Sequence, residues 1–304
     1  MRVIITGGSG LIGRELTKRL SDDGHEVIIL SRTPHKVNRL PANARAEKWD
    51  ARTADGWGTL ADGADAIINL AGANIGASRW TEERKRVILE SRIHAGEAVV
   101  EAVQAAANKP KVVIQASAVG YYGNRGDEPL TEESAAGDDF LAHVCIAWEN
   151  SVKPIADQVR LIYIRTGVVL TTTDGALKQM MLPFKFFAGG PLGDGKQWFP
   201  WIHLDDEVAA ILYLLYNDEA NGVYNLNSPR IMTNANFVKT LGKVMNRPAI
   251  MPAPAFALKL ALGEMATLVL DGQRMIPQRL EAAPFEFAYP DAEAALQDLI
   301  QNNK

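Results

Sequence analysis

A glycine-rich turn directly after the first apolar segment is the feature that most constrains how this chain folds. The apolar residues 3–5 lead into the run Thr6-Gly7-Gly8-Ser9-Gly10-Leu11-Ile12-Gly13, and a helical pattern follows over residues 14–20. Between a strand and a helix, such glycines permit a tight turn, close approach of a pyrophosphate and close helix packing. The N–H groups at the start of the helix then face the anion. The pattern predicts dinucleotide binding, with a plain tight turn as the alternative.

The end of the second β-rich run indicates which dinucleotide this is. Residues 26–30 are followed by Ser31-Arg32, at the point where NAD-selective proteins usually carry an acidic residue. An acid there would accept hydrogen bonds from the ribose and repel a 2′-phosphate, whereas Arg32 would pair with that phosphate, with Ser31 and Lys36 beside it. We therefore predict NADP as the cofactor. The alternative is that Arg32 is only a solvated loop charge.

Further β-rich runs alternate with helical patterns along the first half of the chain. Residues 46–49, 66–70 and 111–117 are such runs, and their alternation with helices predicts an α/β fold of the Rossmann type, with a doubly wound parallel sheet. Ligands bind these sheets beyond the carboxyl ends of the strands. Asp50 falls there and could accept from an adenine amino group, or it could cap a turn. The small pair Ala71-Gly72 fits beneath a ribose, or simply forms a tight turn.

The predicted cofactor contacts therefore lie at the ends of four strands. They are Thr6, Gly7, Ser9, Gly10, Leu11, Ile12, Gly13, Ser31, Arg32, Asp50, Asn69, Leu70, Ala71 and Gly72.

Composition restricts the class of ligand and the cellular setting. The chain has 304 residues and a net charge of −4, so it lacks the basic field that attracts nucleic acid, and we expect a small-molecule substrate. The single cysteine, Cys145, excludes an intramolecular disulfide, and the five histidines show no metal-binding spacing. Because the first strand follows Met1 directly, we expect no signal peptide, and charged residues interrupt the apolar C-terminal stretches. We expect a cytoplasmic protein with no membrane association.

Several motifs together resemble the extended branch of the short-chain dehydrogenase/reductase superfamily, which contains nucleotide-sugar epimerases. Asn69-Leu70-Ala71-Gly72 is similar to its fourth-strand motif. The runs at 165–170 and 200–206 resemble its sixth strand and a late strand-to-helix junction. More narrowly, the chain resembles the atypical, YfcH-like "epimerase family" proteins. This closer resemblance rests on residues 117–123, 140–145, 148–149 and 272–277, and on Phe285, Phe287, Tyr289 and Pro290.

The chain departs from this superfamily at the catalytic pair. Active members use a Tyr as general acid or base and a Lys four residues later, which lowers the pKa of the Tyr and holds the nicotinamide ribose. No Tyr of this chain has Lys at that spacing. If Glu149 matches the glutamate that often follows the pair, the resemblance places Leu141 at the Tyr position and Cys145 at the Lys position. Neither side chain replaces the missing group.

Three hydroxyl groups near the end of the fifth strand are the candidate catalytic groups. The resemblance implies a substrate contact for Ser117, although Ser117 could equally end the strand as a cap. Tyr121 and Tyr122 could supply a phenol, with Arg125 as a neighbouring charge, or could pack the loop onto the sheet. Lys85 or Arg92 could also face the cleft, because the helix that carries them borders the nicotinamide in the superfamily.

The domain organisation follows from the same patterns. Residues 1–170 are predicted to form the nucleotide-binding domain, to which the chain returns at about 203–228, and residues 171–202 and 229–304 the smaller, mainly helical lobe. A glycine-rich loop at 189–195 is expected to be mobile over the substrate side, and a helix is expected over 256–270 with its apolar stripe in the core.

The sequence leaves two candidate functions open. The first is an NADP-dependent oxidoreductase or epimerase that acts on a small molecule such as a nucleotide sugar. The second is a non-catalytic NADP-binding sensor or scaffold.

Overall fold

Seven parallel strands form the central sheet of the protein. The structure is a computed structural model that describes residues 1–302. Its strands are β1 (Arg2–Thr6), β2 (Glu26–Ser31), β3 (Ala44–Lys48), β4 (Ala66–Asn69), β5 (Val112–Ala118), β6 (Pro129–Leu130), β7 (Arg160–Thr166), β8 (Val168–Leu170), β9 (Trp198–Phe199), β10 (Trp201–His203), β11 (Gly222–Leu226), β12 (Met232–Thr233) and β13 (Arg274–Met275). The order in the large sheet is β11-β7-β5-β4-β1-β2-β3.

Helices cover both faces of this sheet and build the rest of the chain. They are α1 (Leu11–Asp22), α2 (Glu82–Ala105), α3 (Phe140–Ser151), α4 (Gly175–Lys185), α5 (Leu204–Tyr216), α6 (Asn234–Met245), α7 (Ala255–Leu262), α8 (Thr267–Leu270), α9 (Gln278–Glu281) and α10 (Ala292–Gln297). Apolar residues of α1 and α5 pack on one face of the sheet, and those of α2 on the other. The predicted doubly wound α/β fold is confirmed.

The strand order reverses at β1, which pairs with β2 on one side and with β4 on the other. Such a reversal opens a crevice at the carboxyl ends of the strands, where ligands of this fold class bind. The glycine-rich turn lies there. Gly7 has a φ of +69°, and an added Cβ would come within 2.9 Å of the Leu70 backbone. At Gly13 an added Cβ would lie 2.5 Å from the Gly7 carbonyl oxygen, so both positions require glycine.

A second apolar core lies beside the sheet, built mainly by α4, α6 and α10. Phe184, Trp201, Phe237 and Leu241 are buried in it. The chain returns to the large sheet through β11, which pairs in parallel with β7, as the sequence predicted. Within residues 1–302, no helix combines the length and the apolar character needed to cross a bilayer.

One local prediction was wrong. The helix expected over 256–270 is broken at Gly263, whose φ is +63°, and α7 buries none of its residues. The segment 189–195, expected to be a mobile loop over the substrate side, is hydrogen-bonded along residues 249–253. Met251 N donates to Gly189 O at 3.0 Å, and Gly193 N donates to Ala253 O at 2.9 Å. Backbone pairing therefore holds a segment whose glycine content had indicated mobility.

Candidate cofactor and active site

The start of α1 is open to a ligand. Gly10 is its N-cap, no side chain caps it, and the first turn carries no acidic residue. Ser9 and Gly10 are exposed. Because the first N–H groups of a helix have no intrahelical acceptor and carry a partial positive charge, this end can receive an anionic group.

Two predicted cofactor contacts have side chains that serve the sheet instead. Thr6 and Asn69 are fully buried; the Thr6 hydroxyl donates to Asn69 Oδ1 and accepts from Ala71 N. Asn69 Nδ2 in turn donates to Gln115 Oε1 at 2.8 Å. The side chains of Thr6 and Asn69 therefore tie β1, β4 and β5 together beneath the turn, and only their backbone groups are left for a cofactor.

The end of β2 presents an unpaired cation. Arg32 is exposed, and its guanidinium makes no hydrogen bond or ion pair with residues 1–302. The Ser31 hydroxyl accepts from Thr33 N at 3.2 Å, which shapes the turn. Asp50 lies nearby, after β3, and its carboxylate accepts from Arg52 N, Thr53 N and Thr53 Oγ1. The structure thus gives Asp50 the turn-capping role that the sequence had left open, while Arg32 remains available.

The candidate catalytic Ser117 belongs to a buried polar chain. Its hydroxyl donates to Glu149 Oε1 at 2.7 Å. Arg165 makes a bidentate pair with the same carboxylate, at 2.8 and 2.9 Å. Ser117 and Arg165 are register partners on β5 and β7, and Glu149 reaches them from α3. Burial alone would lower the pKa of Arg165, but the hydrogen bonds and charge of Glu149 outweigh it and raise that pKa.

Tyr122 is the last member of this buried network, and its contacts favour the packing role that the sequence had left open. The side chain is fully buried; its hydroxyl donates to Asn225 Oδ1 at 2.6 Å and accepts from Arg165 Nη1 at 3.1 Å. Burial raises the pKa of Tyr122 to about 12. A phenol whose donor and acceptor are both satisfied inside the protein is a packing group.

Tyr121 remains as a candidate phenol. Its ring lies 3.3 Å from Arg165 Cζ, edge-on to the ring of Tyr122 with 5.3 Å between the centroids. It is half-buried, and no hydrogen bond of its hydroxyl occurs within the described part of the chain. Arg125, considered as a charge beside the two tyrosines, is instead paired with Glu128 at 2.9 Å.

The positions implied for the missing Tyr and Lys lie together on α3. An added Cβ on Gly120 would come 3.0 Å from Leu141 Cβ and 3.8 Å from Cys145 Sγ, so the loop after β5 packs directly on both residues. Cys145 Sγ donates to Ala118 O at 3.7 Å, and burial raises its pKa to about 11. The thiol is therefore protonated at neutral pH and is not a nucleophile.

Sequence reasoning missed the partnership of Glu149 with Arg165. One signal was present in the printed sequence, since Arg165 interrupts the apolar run of β7, and an arginine inside a buried strand requires an acceptor. The identity of that acceptor depends on how α3 packs on β5. Only the tertiary structure supplies this information.

His203 lies at the start of α5. Its Nδ1 accepts from Asp205 N at 3.1 Å, so His203 caps the helix. Its Nε2 lies 3.4 Å from Asp298 Oδ2. Ligand atoms of His203, Asp205 and Asp298 all lie within 4.8 Å of one another. This cluster of possible metal ligands was not predicted, but the cap already uses His203 Nδ1, and we assign no metal to it.

Comparison with known proteins places this geometry in a family. Residues 3–143 match the NAD dependent epimerase/dehydratase family, and residues 253–299 match a domain of unknown function, DUF1731. The epimerase family protein YfhF of Bacillus subtilis is 41% identical, over 100% of this chain and 99% of its own length. The chain belongs to this epimerase family. The family resemblance inferred from the motifs is thus confirmed.

Two solved structures extend the comparison. Human epimerase family protein SDR39U1, whose crystal structure contains NADPH, superimposes with a TM-score of 0.89 and 33% identity, over 99% of this chain and 100% of that one. A nucleoside-diphosphate sugar epimerase from Corynebacterium glutamicum gives a TM-score of 0.77 and 35% identity, over 99% of this chain and 58% of that one.

Proposed function

We propose that this epimerase family protein binds NADP(H) in the crevice above β1, β2 and β4. The observation that carries the proposal is the exposed, unpaired guanidinium of Arg32 at the end of β2, with no carboxylate at this strand end to disfavour a 2′-phosphate. The NADPH in human SDR39U1 supports it. The uncapped start of α1 would receive the pyrophosphate, and Ala71 and Gly72 would lie beneath a ribose.

We further propose that the bound cofactor is used in catalysis on a small hydroxyl or keto compound, with nucleotide sugars as the first class to test. The NADP nicotinamide would supply hydride transfer. On the protein side, Ser117 gives its only proton to Glu149, so toward a substrate hydroxyl its oxygen acts as a hydrogen-bond acceptor. A proton received by Ser117 Oγ from a substrate hydroxyl can be matched by transfer of the serine proton to Glu149 Oε1. Reduction of a keto compound runs the same proton transfers in reverse, with Glu149 returning a proton to Ser117 as Ser117 donates to the substrate oxygen.

Cofactor discrimination tests the first part of the proposal. A charge-assisted hydrogen bond contributes about 1.5–3 kcal/mol, and tenfold in affinity corresponds to about 1.4 kcal/mol. We therefore expect NADPH to bind at least about tenfold more tightly than NADH, and Arg32→Ala to remove most of this preference. Isothermal titration with both cofactors measures it, and Lys18→Ala, which removes a positive charge from the exposed face of α1, is the matched control. Equal affinities in the unmodified protein would refute NADP selectivity.

Loss of turnover tests the second part. After an anaerobic screen of keto compounds, including keto forms of nucleotide sugars, for oxidation of NADPH, Ser117→Ala is expected to lower kcat at least about 100-fold, the lower range for loss of an acid/base group. NADPH affinity should change less than about twofold. Ser134→Ala is the control, because that hydroxyl only accepts from Thr131 N in a remote turn. Undiminished kcat in Ser117→Ala would remove Ser117 from the mechanism and leave Tyr121 as the next hydroxyl to test.

The second candidate function is an NADP-binding sensor or scaffold without turnover. The packing of Gly120 on Leu141 and Cys145 favours it, because no phenol or ammonium occupies the positions where the superfamily places its catalytic pair. This function predicts tight NADPH binding but no substrate-dependent oxidation with any compound of the screen. The same experiment therefore distinguishes the two candidates.

A further inference from the structure

Arg92 places a second guanidinium at the crevice, on the opposite side from Arg32. The residue lies on α2, and its side chain packs against the loop after β4. An added Cβ on Gly72 would lie 3.1 Å from Arg92 Cζ and 3.3 Å from its Nε. The guanidinium also lies over the ring of Trp148, with 4.7 Å between Cζ and the ring centroid. Contacts from two elements therefore fix its position.

No anion among residues 1–302 balances this cation. Arg92 Nη1 donates to Ala73 O at 3.2 Å and to Ile88 O at 2.9 Å, whereas Nε and Nη2 make no hydrogen bond within residues 1–302. In the same range, no carboxylate lies within ion-pair distance of Arg92. A second cation, Arg84, is close enough to act on Arg92 electrostatically, and its Nη2 donates to Asn74 O on the same loop.

The missing counter-ion has an energetic consequence. Burial lowers the pKa of Arg92 to about 10, which still leaves the group charged at neutral pH. Holding a charge in a partly buried site without an opposite charge is unfavourable, and a second guanidinium nearby increases the cost. A site of this kind is stabilised when a ligand brings phosphate or hydroxyl oxygens to the free N–H groups.

The sheet order shows which part of a dinucleotide would reach Arg92. Arg32 follows β2 on one side of β1, whereas Gly72 follows β4 on the other side, toward β5. A dinucleotide with its 2′-phosphate at Arg32 and its pyrophosphate at the start of α1 would extend its nicotinamide half toward β4 and β5. Arg92 is also close enough to Cys145 to interact with it electrostatically, and Cys145 stands where the superfamily has its ribose-binding lysine.

We propose that Arg92 binds the nicotinamide-side ribose and pyrophosphate oxygens of NADP(H) and supplies, from α2, the positive charge that α3 lacks at Cys145. This assignment rests on the proposed cofactor function. It gives a cofactor-binding role to one of the two residues of this helix that the sequence placed near the cleft, with the charge coming from a different helix than in the superfamily. Trp148 and the Ala73 carbonyl hold the guanidinium, leaving Nε and Nη2 to face the ligand.

Two ligands distinguish binding of the nicotinamide half of the cofactor from binding of its adenosine half. The first is NADPH, and the second is adenosine 2′,5′-bisphosphate, which carries the adenosine and 2′-phosphate but no nicotinamide half. We expect Arg92→Met to weaken NADPH binding about tenfold or more and to change bisphosphate binding less than about twofold. Arg92→Lys, which keeps the charge but not the planar fork, should give an intermediate loss. Arg86→Met is the matched control, because it removes an arginine from the exposed face of the same helix.

The outcomes separate failure of this assignment from failure of the proposed function. If the unmodified protein binds neither probe, the cofactor proposal itself falls. If it binds both and Arg92→Met weakens them equally, Arg92 acts only on structure, and the assignment is wrong. Unchanged NADPH affinity with weaker binding of UDP, used as a probe for a substrate diphosphate, would assign the cation to the substrate and also overturn it. If Arg92→Met does not fold, the same comparison of NADPH and bisphosphate binding is made with Arg92→Lys.

Discussion

Arg165→Met is expected to destabilise the protein by about 3–5 kcal/mol, the usual cost of leaving one member of a buried ion pair without its partner. The side chain of Arg165 is 4% exposed and that of Glu149 is 13% exposed. Removing the guanidinium leaves the Glu149 carboxylate with the Ser117 hydroxyl as its only hydrogen-bond donor among the described residues. It also removes the donor to the Tyr122 hydroxyl. Urea denaturation at neutral pH, with an unchanged m-value, measures the loss.

A double variant and a surface control make this prediction specific. In Arg165→Met with Glu149→Met, no buried charge remains, so we expect a substantial part of the lost stability to return. Arg45→Met, which breaks exposed pairs with Glu26 and Glu47, should cost no more than about 1 kcal/mol. If the two buried substitutions simply add, charge burial is not the cause. The loss would then reflect side-chain packing alone.

Glu207→Gln is expected to become increasingly stabilising as the pH rises. Glu207 is fully buried on α5; Oε1 accepts from Thr166 Oγ1 at 2.8 Å, and Oε2 has no partner among the described residues. Burial raises its pKa from 4.5 to about 8. The folded protein therefore keeps a proton on this carboxyl at neutral pH, whereas the unfolded chain releases it.

The direction in which pH changes the free energy of unfolding follows from the difference between the pKa of Glu207 in the folded and unfolded states. Below about pH 4.5 the carboxyl is protonated in both states, and the pH dependence from Glu207 vanishes. Between about 4.5 and 8 only the unfolded state loses the proton, so the free energy of unfolding falls with rising pH. From pH 5 to pH 7.5 the unmodified protein should lose roughly 3 kcal/mol through this group. The glutamine does not titrate and avoids that loss.

Measuring stability over a range of pH also separates the titration of Glu207 from the pH-independent cost of placing a glutamine amide at this site. The glutamine amide would sit where Oε2 has no partner, which costs stability at every pH. The informative quantity is therefore the change with pH of the stability difference between Glu207→Gln and the unmodified protein. For the control Glu133→Gln, at an exposed carboxyl, the stability difference from the unmodified protein should not change with pH. A flat difference for Glu207→Gln as well would show that this carboxyl is ionised in the folded protein.

The nucleotide-binding half of the fold could be predicted from short-range features of the sequence. The apolar run before Gly7, the glycines themselves and the helical pattern after Gly13 are all short-range features, and each has a backbone reason in the structure. The alternation of strands and helices then left few topologies open, and the parallel sheet followed. The NADP preference rested on two adjacent residues, Ser31 and Arg32. Such features can be inferred because their physical causes act between residues close in the chain.

Side-chain partners were decided only in three dimensions. Tyr121 and Tyr122 are adjacent and equivalent in sequence, yet one hydroxyl is sealed against Asn225, which lies 103 residues away, and the other is not. The chemistry of Ser117 depends on Glu149 from α3, and the unpaired state of Arg92 depends on the absence of any carboxylate brought near it by folding. The sequence by itself determined the strand–turn–helix unit, the sheet and its cofactor class, because backbone geometry and periodicity are local. The tertiary structure alone decided which polar groups are satisfied and which remain free to act, because hydrogen bonds and charges pair through space across distant elements.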